Sequence, residues 1–149
     1  MDNTTNEDLY FRDYTKMTDD EIVLWDERWP NFAPHEVACR ETKELLIVPF
    51  ALDQLQKVRN KYGNSLRVAS GYRSIAYNRK IGGAKNSAHT RGAAFDISTR
   101  DMSGAALHAF LIAVWEVGPL GFGMGKNDGG TKLLHLDCDA TLGARSWFY

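Results

Sequence analysis

Between residues 49 and 70 the spacing of apolar side chains changes from helical to alternating, and this change restricts the fold more than any other feature. In "PFALDQLQKVRNKYG", Leu52, Leu55, Val58 and Tyr62 return on one face, as a period of 3.6 requires. Pro49 suits a first helical position and Gly63 a C-terminal cap. "LRVAS" follows at once, with Leu66, Val68 and Ser70 on one side of a strand. A chain that runs from helix into strand with so little between them predicts helices packed on a sheet.

The remaining segments extend this reading. "TDDE" has Thr18 three residues before Glu21, the pattern of a capping box, and Ile22, Trp25 and Trp29 follow at helical spacing before Pro30. "APHEVA" is compatible with another short helical turn. "SIAYNRKIGG" reads as a helical turn stopped by two glycines, and "AAFDIS" as a strand. Ser103 opens a long helix whose apolar face is Leu107, Phe110, Leu111, Val114 and Val117. "PLGFGMG" alternates Leu120, Phe122 and Met124 between glycines, and "KLLHLD" is a strand. The expected class is α+β, with a mostly antiparallel sheet.

The 149 residues suit a single domain, 1–149, divided into an N-terminal extension over 1–30 with a short helix and a core over 31–149. A net charge of −1 argues against a bulk electrostatic grip on nucleic acid. No apolar run approaches the ~20 residues of a membrane span, so no membrane insertion is expected. The first residues, "MDNTTNEDLYFRDYTK", lack the basic start and apolar stretch of a secretory signal. Synthesis in the cytoplasm and a monomeric state are the expectations. Cys39 and Cys138 are too few for a disulfide scaffold and form no zinc knuckle, so two free thiols are expected.

Chemistry concentrates in two segments. In "KLLHLD", Leu133, His135 and Asp137 share one strand face, while Leu134, Leu136 and Cys138 share the other, which has the character of core. In "NSAHTRGAAFDIS", Gly92 permits a sharp bend that could fold His89 back over Asp96. Together with His135 that makes two imidazoles and one carboxylate, a donor set suited to catalytic zinc. A divalent ion on such a set keeps a net charge of +1, which favours the ionisation of water. On spacing alone, a polar turn followed by an Asp that caps something is the plainer explanation of these residues.

The longer run "SGYRSIAYNRKIGGAKNSAHTRGAAFDIS" resembles the zinc D-alanyl-D-alanine carboxypeptidase family, which includes phage L-alanyl-D-glutamate endolysins. The matching positions are Ser70, Gly71, Tyr72, Arg73 and Ser74, then Asn78, then Gly82, Gly83 and Ala84, then Ser87, His89, Gly92, Ala94 and Asp96. His135 and Asp137 match a terminal H-x-D, and Arg145 and Trp147 loosely match a late Arg and Trp. The resemblance covers about residues 31–149.

It implies the Hedgehog/DD-peptidase fold and one Zn2+ held by His89, Asp96 and His135. It also implies peptidoglycan stem peptides as substrate, and Arg73 facing them. A guanidinium there could clamp a carboxylate or steady an oxyanion. Tyr72 and Ser87 are further candidates for contact with substrate, although Ser87 could instead hold its loop. The sequence departs from the family where several relatives carry an acid two or three positions before the last zinc histidine: Lys132 and Leu133 stand there. Asp137 is the nearest substitute as proton carrier, with a second possible role in orienting a ligand or Arg73. Asp128 is a remoter candidate.

Three readings follow. One is a phage or prophage lysis peptidase, made without an export signal and acting on the wall after release. Another is a D-Ala-D-Ala carboxypeptidase, and the third a non-catalytic, zinc-containing wall-binding virion protein. His35 and His108 have no catalytic role in any of them. Trp147, Phe148 and Tyr149 are expected to pack. Gly82 and Gly83 lack the sequence that would make them a phosphate loop.

Overall fold

A computed structural model describes residues 6–118, 121–125, 132–139 and 145–148, the strands 121–125 and 145–148 by their backbone. A five-stranded sheet organises the molecule. Its strands are β3 (Arg67–Ser70), β4 (Ala94–Ser98), β5 (Gly121–Gly125), β6 (Leu133–Asp137) and β7 (Arg145–Phe148), in the spatial order β3-β4-β6-β5-β7. Every pairing is antiparallel except β5 with β7. The α+β, mostly antiparallel expectation therefore holds. A second sheet pairs β1 (Leu9–Phe11) with β2 (Leu45–Ile47), two strands the sequence reading missed.

The helices are α1 (Asp19–Arg28), α2 (Pro34–Val37), α3 (Pro49–Tyr62), α4 (Ile75–Lys80) and α5 (Gly104–Val117). Their ends follow local chemistry. Thr18 and Glu21 close a reciprocal capping box on α1. Gly63 terminates α3 in the left-handed region, and the Ser103 side chain caps α5.

One apolar core joins these parts. It runs from Trp25, Trp29 and Phe32 through Leu45, Ile47, Leu52 and Leu55 to Phe95, Ile97, Phe110, Leu134 and Leu136. The α5 face is as expected, with Phe110 and Val114 buried and Leu107, Leu111 and Val117 partly so. The described part of the N-terminal extension is no appendage. Trp25 and Trp29 are fully buried, and the indole N–H of Trp25 donates to the Phe32 carbonyl at 2.6 Å. The indole of Trp29 and the guanidinium of Arg28 both donate to Asp53 on α3. These bonds satisfy the polar edges of side chains whose rings supply much of the buried area.

Backbone register then places the functional residues. Asp96 on β4 lies opposite His135 on β6, and Ser70 on β3 lies opposite Asp96. Paired residues of neighbouring strands share a sheet face, so Asp96, His135 and Ser70 project from one side. Phe95, Ile97, Leu134 and Leu136 project into the core on the other.

Candidate metal centre

His89 reaches this face from a 3-10 helix, Ala88–Arg91. The Ser87 hydroxyl caps that helix by accepting from the His89 N–H at 3.3 Å. Gly92 ends it at φ 69°, where a Cβ would also lie 2.9 Å from the Leu46 carbonyl oxygen on β2. Positive φ and close approach of β2 together require glycine there. The bend expected at Gly92 is thus present, with a short helix rather than an open turn before it.

Three ligand atoms converge. His89 Nε2 lies 3.2 Å from Asp96 Oδ1 and 3.2 Å from His135 Nδ1, and His135 Nδ1 lies 2.9 Å from Asp96 Oδ1. Zinc bonds of about 2.0–2.1 Å in a tetrahedron would space their donors by about 3.3 Å. The residues present therefore fit one such ion, and among the described residues they form the only His/Cys/Asp/Glu group so gathered.

The outer edges of the rings fix which nitrogen faces the centre. His89 Nδ1 is 2.7 Å from the Gly71 carbonyl, which can only accept, so Nδ1 carries the proton and Nε2 presents a lone pair. His135 Nε2 donates to the Asp137 carboxylate at 3.1 Å, so Nδ1 presents its lone pair. In that tautomer two neutral imidazoles would point lone pairs at each other and at a carboxylate oxygen. A cation between them turns this repulsion into attraction.

A proton is the simplest such cation, and the titration shifts show where it is held. Burial lowers the His89 imidazole by more than the Asp96 hydrogen bond raises it. Burial also pulls on His135, but hydrogen bonds to Asp137 and Asp96 outweigh it and raise that group. Burial would raise Asp96, yet the two histidines hold its carboxyl well below the usual carboxylate range.

Around the three ligands lies a second layer. Arg73 donates through Nη2 to Asp96 Oδ2 at 2.8 Å and through Nε to the Ser70 hydroxyl at 3.0 Å. Its Nη1 edge has a 3.5 Å contact with Asn78 Oδ1. The turn carrying Arg73 is pinned, because Tyr72 N–H donates to the Val37 carbonyl and Arg73 N–H to the His89 carbonyl. Gly71 belongs to this docking, since a Cβ there would stand 2.4 Å from the Val37 oxygen. Asn78 is buried and donates to the Ala84 carbonyl at 2.9 Å, tying the G-G-A loop to α4. Arg91 pairs with buried Asp139, joining the His89 helix to the end of β6.

The sequence candidates sort clearly by position. His89, Asp96 and His135 come together, with Arg73 bonded to Asp96. Asp137 is 0% exposed and sits on the His135 edge opposite the ligand cluster. Ser87 holds its loop. Tyr72 is half-buried; burial first, then the charges of Glu44 and Cys39, push its phenol up, and the ligands are not among these neighbours. His35 and His108 are exposed on α2 and α5. Cys39 and Cys138 are not joined in a disulfide. Asp128 and the side chains of Arg145, Trp147, Phe148 and Tyr149 lie outside the described residues. The sequence reading gave Ser70, Asn78, Arg91 and Asp139 no individual role; Ser70 and Asn78 were matching positions of the family pattern, Arg91 stood in the quoted run without matching, and Asp139 lay outside it.

Two imidazoles and a carboxylate, two from paired strands and one from a short helix, form a group that could hold a divalent metal ion. The chain belongs to the Peptidase M15 family: the model of that family, described as Peptidase M15, matches residues 30–137, which include all three residues of this group. M15 peptidases are zinc-dependent, and the protein is accordingly a metallopeptidase. No curated protein matches the chain. Among the described residues, no helix is long and apolar enough to cross a membrane.

Proposed function

We propose that the protein hydrolyses a peptide bond in the stem of peptidoglycan, as a monomeric lysis peptidase of the phage type. The observation carrying this reading is the convergence of His89 Nε2, His135 Nδ1 and Asp96 Oδ1, each fixed from behind by a partner that leaves its lone pair forward. His89, Asp96 and His135 would hold a zinc ion there, which would supply Lewis acidity for peptide hydrolysis.

The protein's own residues do the rest. Gly71 and Asp137 hold the two imidazoles in the metal-binding tautomer. Arg73 steadies the outer oxygen of Asp96. Its Nη1 edge, with only the long contact to Asn78, is the donor we assign to a substrate carboxylate or developing oxyanion. Asp137 is assigned to orienting His135 rather than carrying a proton. It is fully buried, and the imidazole ring stands between it and the reacting groups.

That assignment leaves no proton carrier among the described residues, and this favours the second reading, a zinc-containing module that binds cell wall without cutting it. Mass analysis of muropeptides after incubation with purified peptidoglycan, with and without chelator, separates the two. New chelator-sensitive amine and carboxyl ends support the peptidase and identify the bond. Stoichiometric zinc with unchanged muropeptides supports the binder.

A further inference from the structure

Beside the metal centre, on the same sheet face, lies a groove of about 440 Å³. Four of its seven lining residues are cationic, Arg40, Arg67, Arg100 and Lys132, and none is acidic. Its floor is the next row of the sheet: Arg67 pairs with Ser98, and Ser98 with Leu133. Ser98 follows Asp96 by two residues on β4, and Leu133 precedes His135 by two on β6. The groove therefore sits one side-chain step, about 7 Å, from the ligand atoms.

The cations are not consumed by the fold. The Arg40 guanidinium is held against β3 by donating to the carbonyls of Ala69 at 2.7 Å and Val68 at 2.9 Å, which orients its charge without neutralising it. Arg67, Arg100 and Lys132 are exposed and have no ion-pair partner among the described residues. Four like charges around one groove set up a local positive potential that attracts an anion. In a chain of net charge −1, this concentration is local rather than a reflection of composition.

We propose that this groove is a substrate subsite that binds a carboxylate of an acidic peptide. The inference rests on the peptidase reading for the identity of the ligand and deepens it. An extended peptide advances about 7 Å in two residues, so the recognised carboxylate lies within about two residues of the bond at the metal centre. Guanidinium groups suit the planar, two-oxygen shape of a carboxylate, and the exposure of the groove makes the interaction sensitive to salt.

The test uses zinc-loaded protein and fluorescent peptides whose central amide is N-methylated to resist cleavage. Each carries one glutamate at successive positions and is matched by a glutamine twin. The expected result is about ten-fold tighter binding of the acidic twin at one position, weakened at high salt. In the Arg67→Gln/Arg100→Gln double variant that preference disappears while zinc content is unchanged. Equal binding of the twins at every position, or a preference surviving in the double variant, would overturn the proposal. So would displacement of both twins by a phosphodiester wall polymer that binds better than either. Cleavage of an unmethylated peptide is scored separately. Acid preference without cleavage retains the subsite and removes the peptidase reading; cleavage without acid preference does the reverse.

Discussion

The two faces of β4 and β6 are both largely buried, yet they are held by different physics. On one side Phe95, Ile97, Leu134 and Leu136 pack into the core. On the other, Asp96, His135 and Asp137 are nearly as inaccessible, but each is surrounded by hydrogen-bond partners. Apolar contacts are non-directional and respond to volume. The polar face responds to the direction of each lone pair and proton, because a buried polar group left unmatched is costly. Burial alone therefore does not distinguish core from site on these strands.

Substitutions on the two faces should fail in different ways. The largest effect is expected at the ligands. His89→Ala removes one of three protein donors, so purified protein should lose its bound zinc, read by elemental analysis, and all chelator-sensitive activity. Removing the buried ring also leaves the Gly71 carbonyl without its donor and a cavity behind it, so unfolding temperature should fall as well and zinc content of the folded protein is the discriminating readout. Retention of one zinc per chain would break the contrast.

On the apolar face, Leu134→Ala should cost about 2–5 kcal/mol in denaturant unfolding, from lost transfer energy and the cavity left behind. The folded fraction should still bind zinc at wild-type stoichiometry. Loss of zinc from that folded fraction would show that the faces are not separable.

Asp137→Asn sharpens the comparison because the residue is as buried as any leucine but reaches the site through its bond to His135. Zinc affinity should fall about 10- to 100-fold, with turnover per loaded site largely kept at saturating zinc. A large loss of turnover at full occupancy would instead return the proton-carrying role to Asp137. The smallest effect is expected from Leu136→Met, a near volume-conserving change, at under about 1.5 kcal/mol with zinc affinity unchanged.

Periodicity made the long elements legible. Helices α3 and α5 and strands β4 and β6 carry repeats long enough to define a face, and the alternation in "KLLHLD" put His135 opposite the leucines. Strands β1 and β2 were not legible because three residues each define no period, and their pairing spans 9–11 and 45–47, far apart in the chain. The burial of Trp25 and Trp29 was hidden for a related reason: α1 shows a helical stripe, but not which distant Asp53 will satisfy its Arg28 and Trp29.

At the site, residue types and the glycine at position 92 gathered His89, Asp96 and His135 as one reading, and the family resemblance favoured it over a polar turn. Which ring nitrogen faces the ion was not legible. It depends on Gly71 and Asp137 acting from behind, and Gly71 is in place because Val37 packs where a Cβ would be. The cationic groove was equally hidden, since Arg40, Arg67, Arg100 and Lys132 come from four separate segments.

The most direct measurement is a crystallographic anomalous difference map at the zinc absorption edge on zinc-loaded protein. One peak should lie about 2.0–2.2 Å from His89 Nε2, His135 Nδ1 and Asp96 Oδ1 together. Absence of a peak at that point under full zinc loading, or a peak that engages the opposite ring nitrogens, would contradict the convergence on which the proposed function depends.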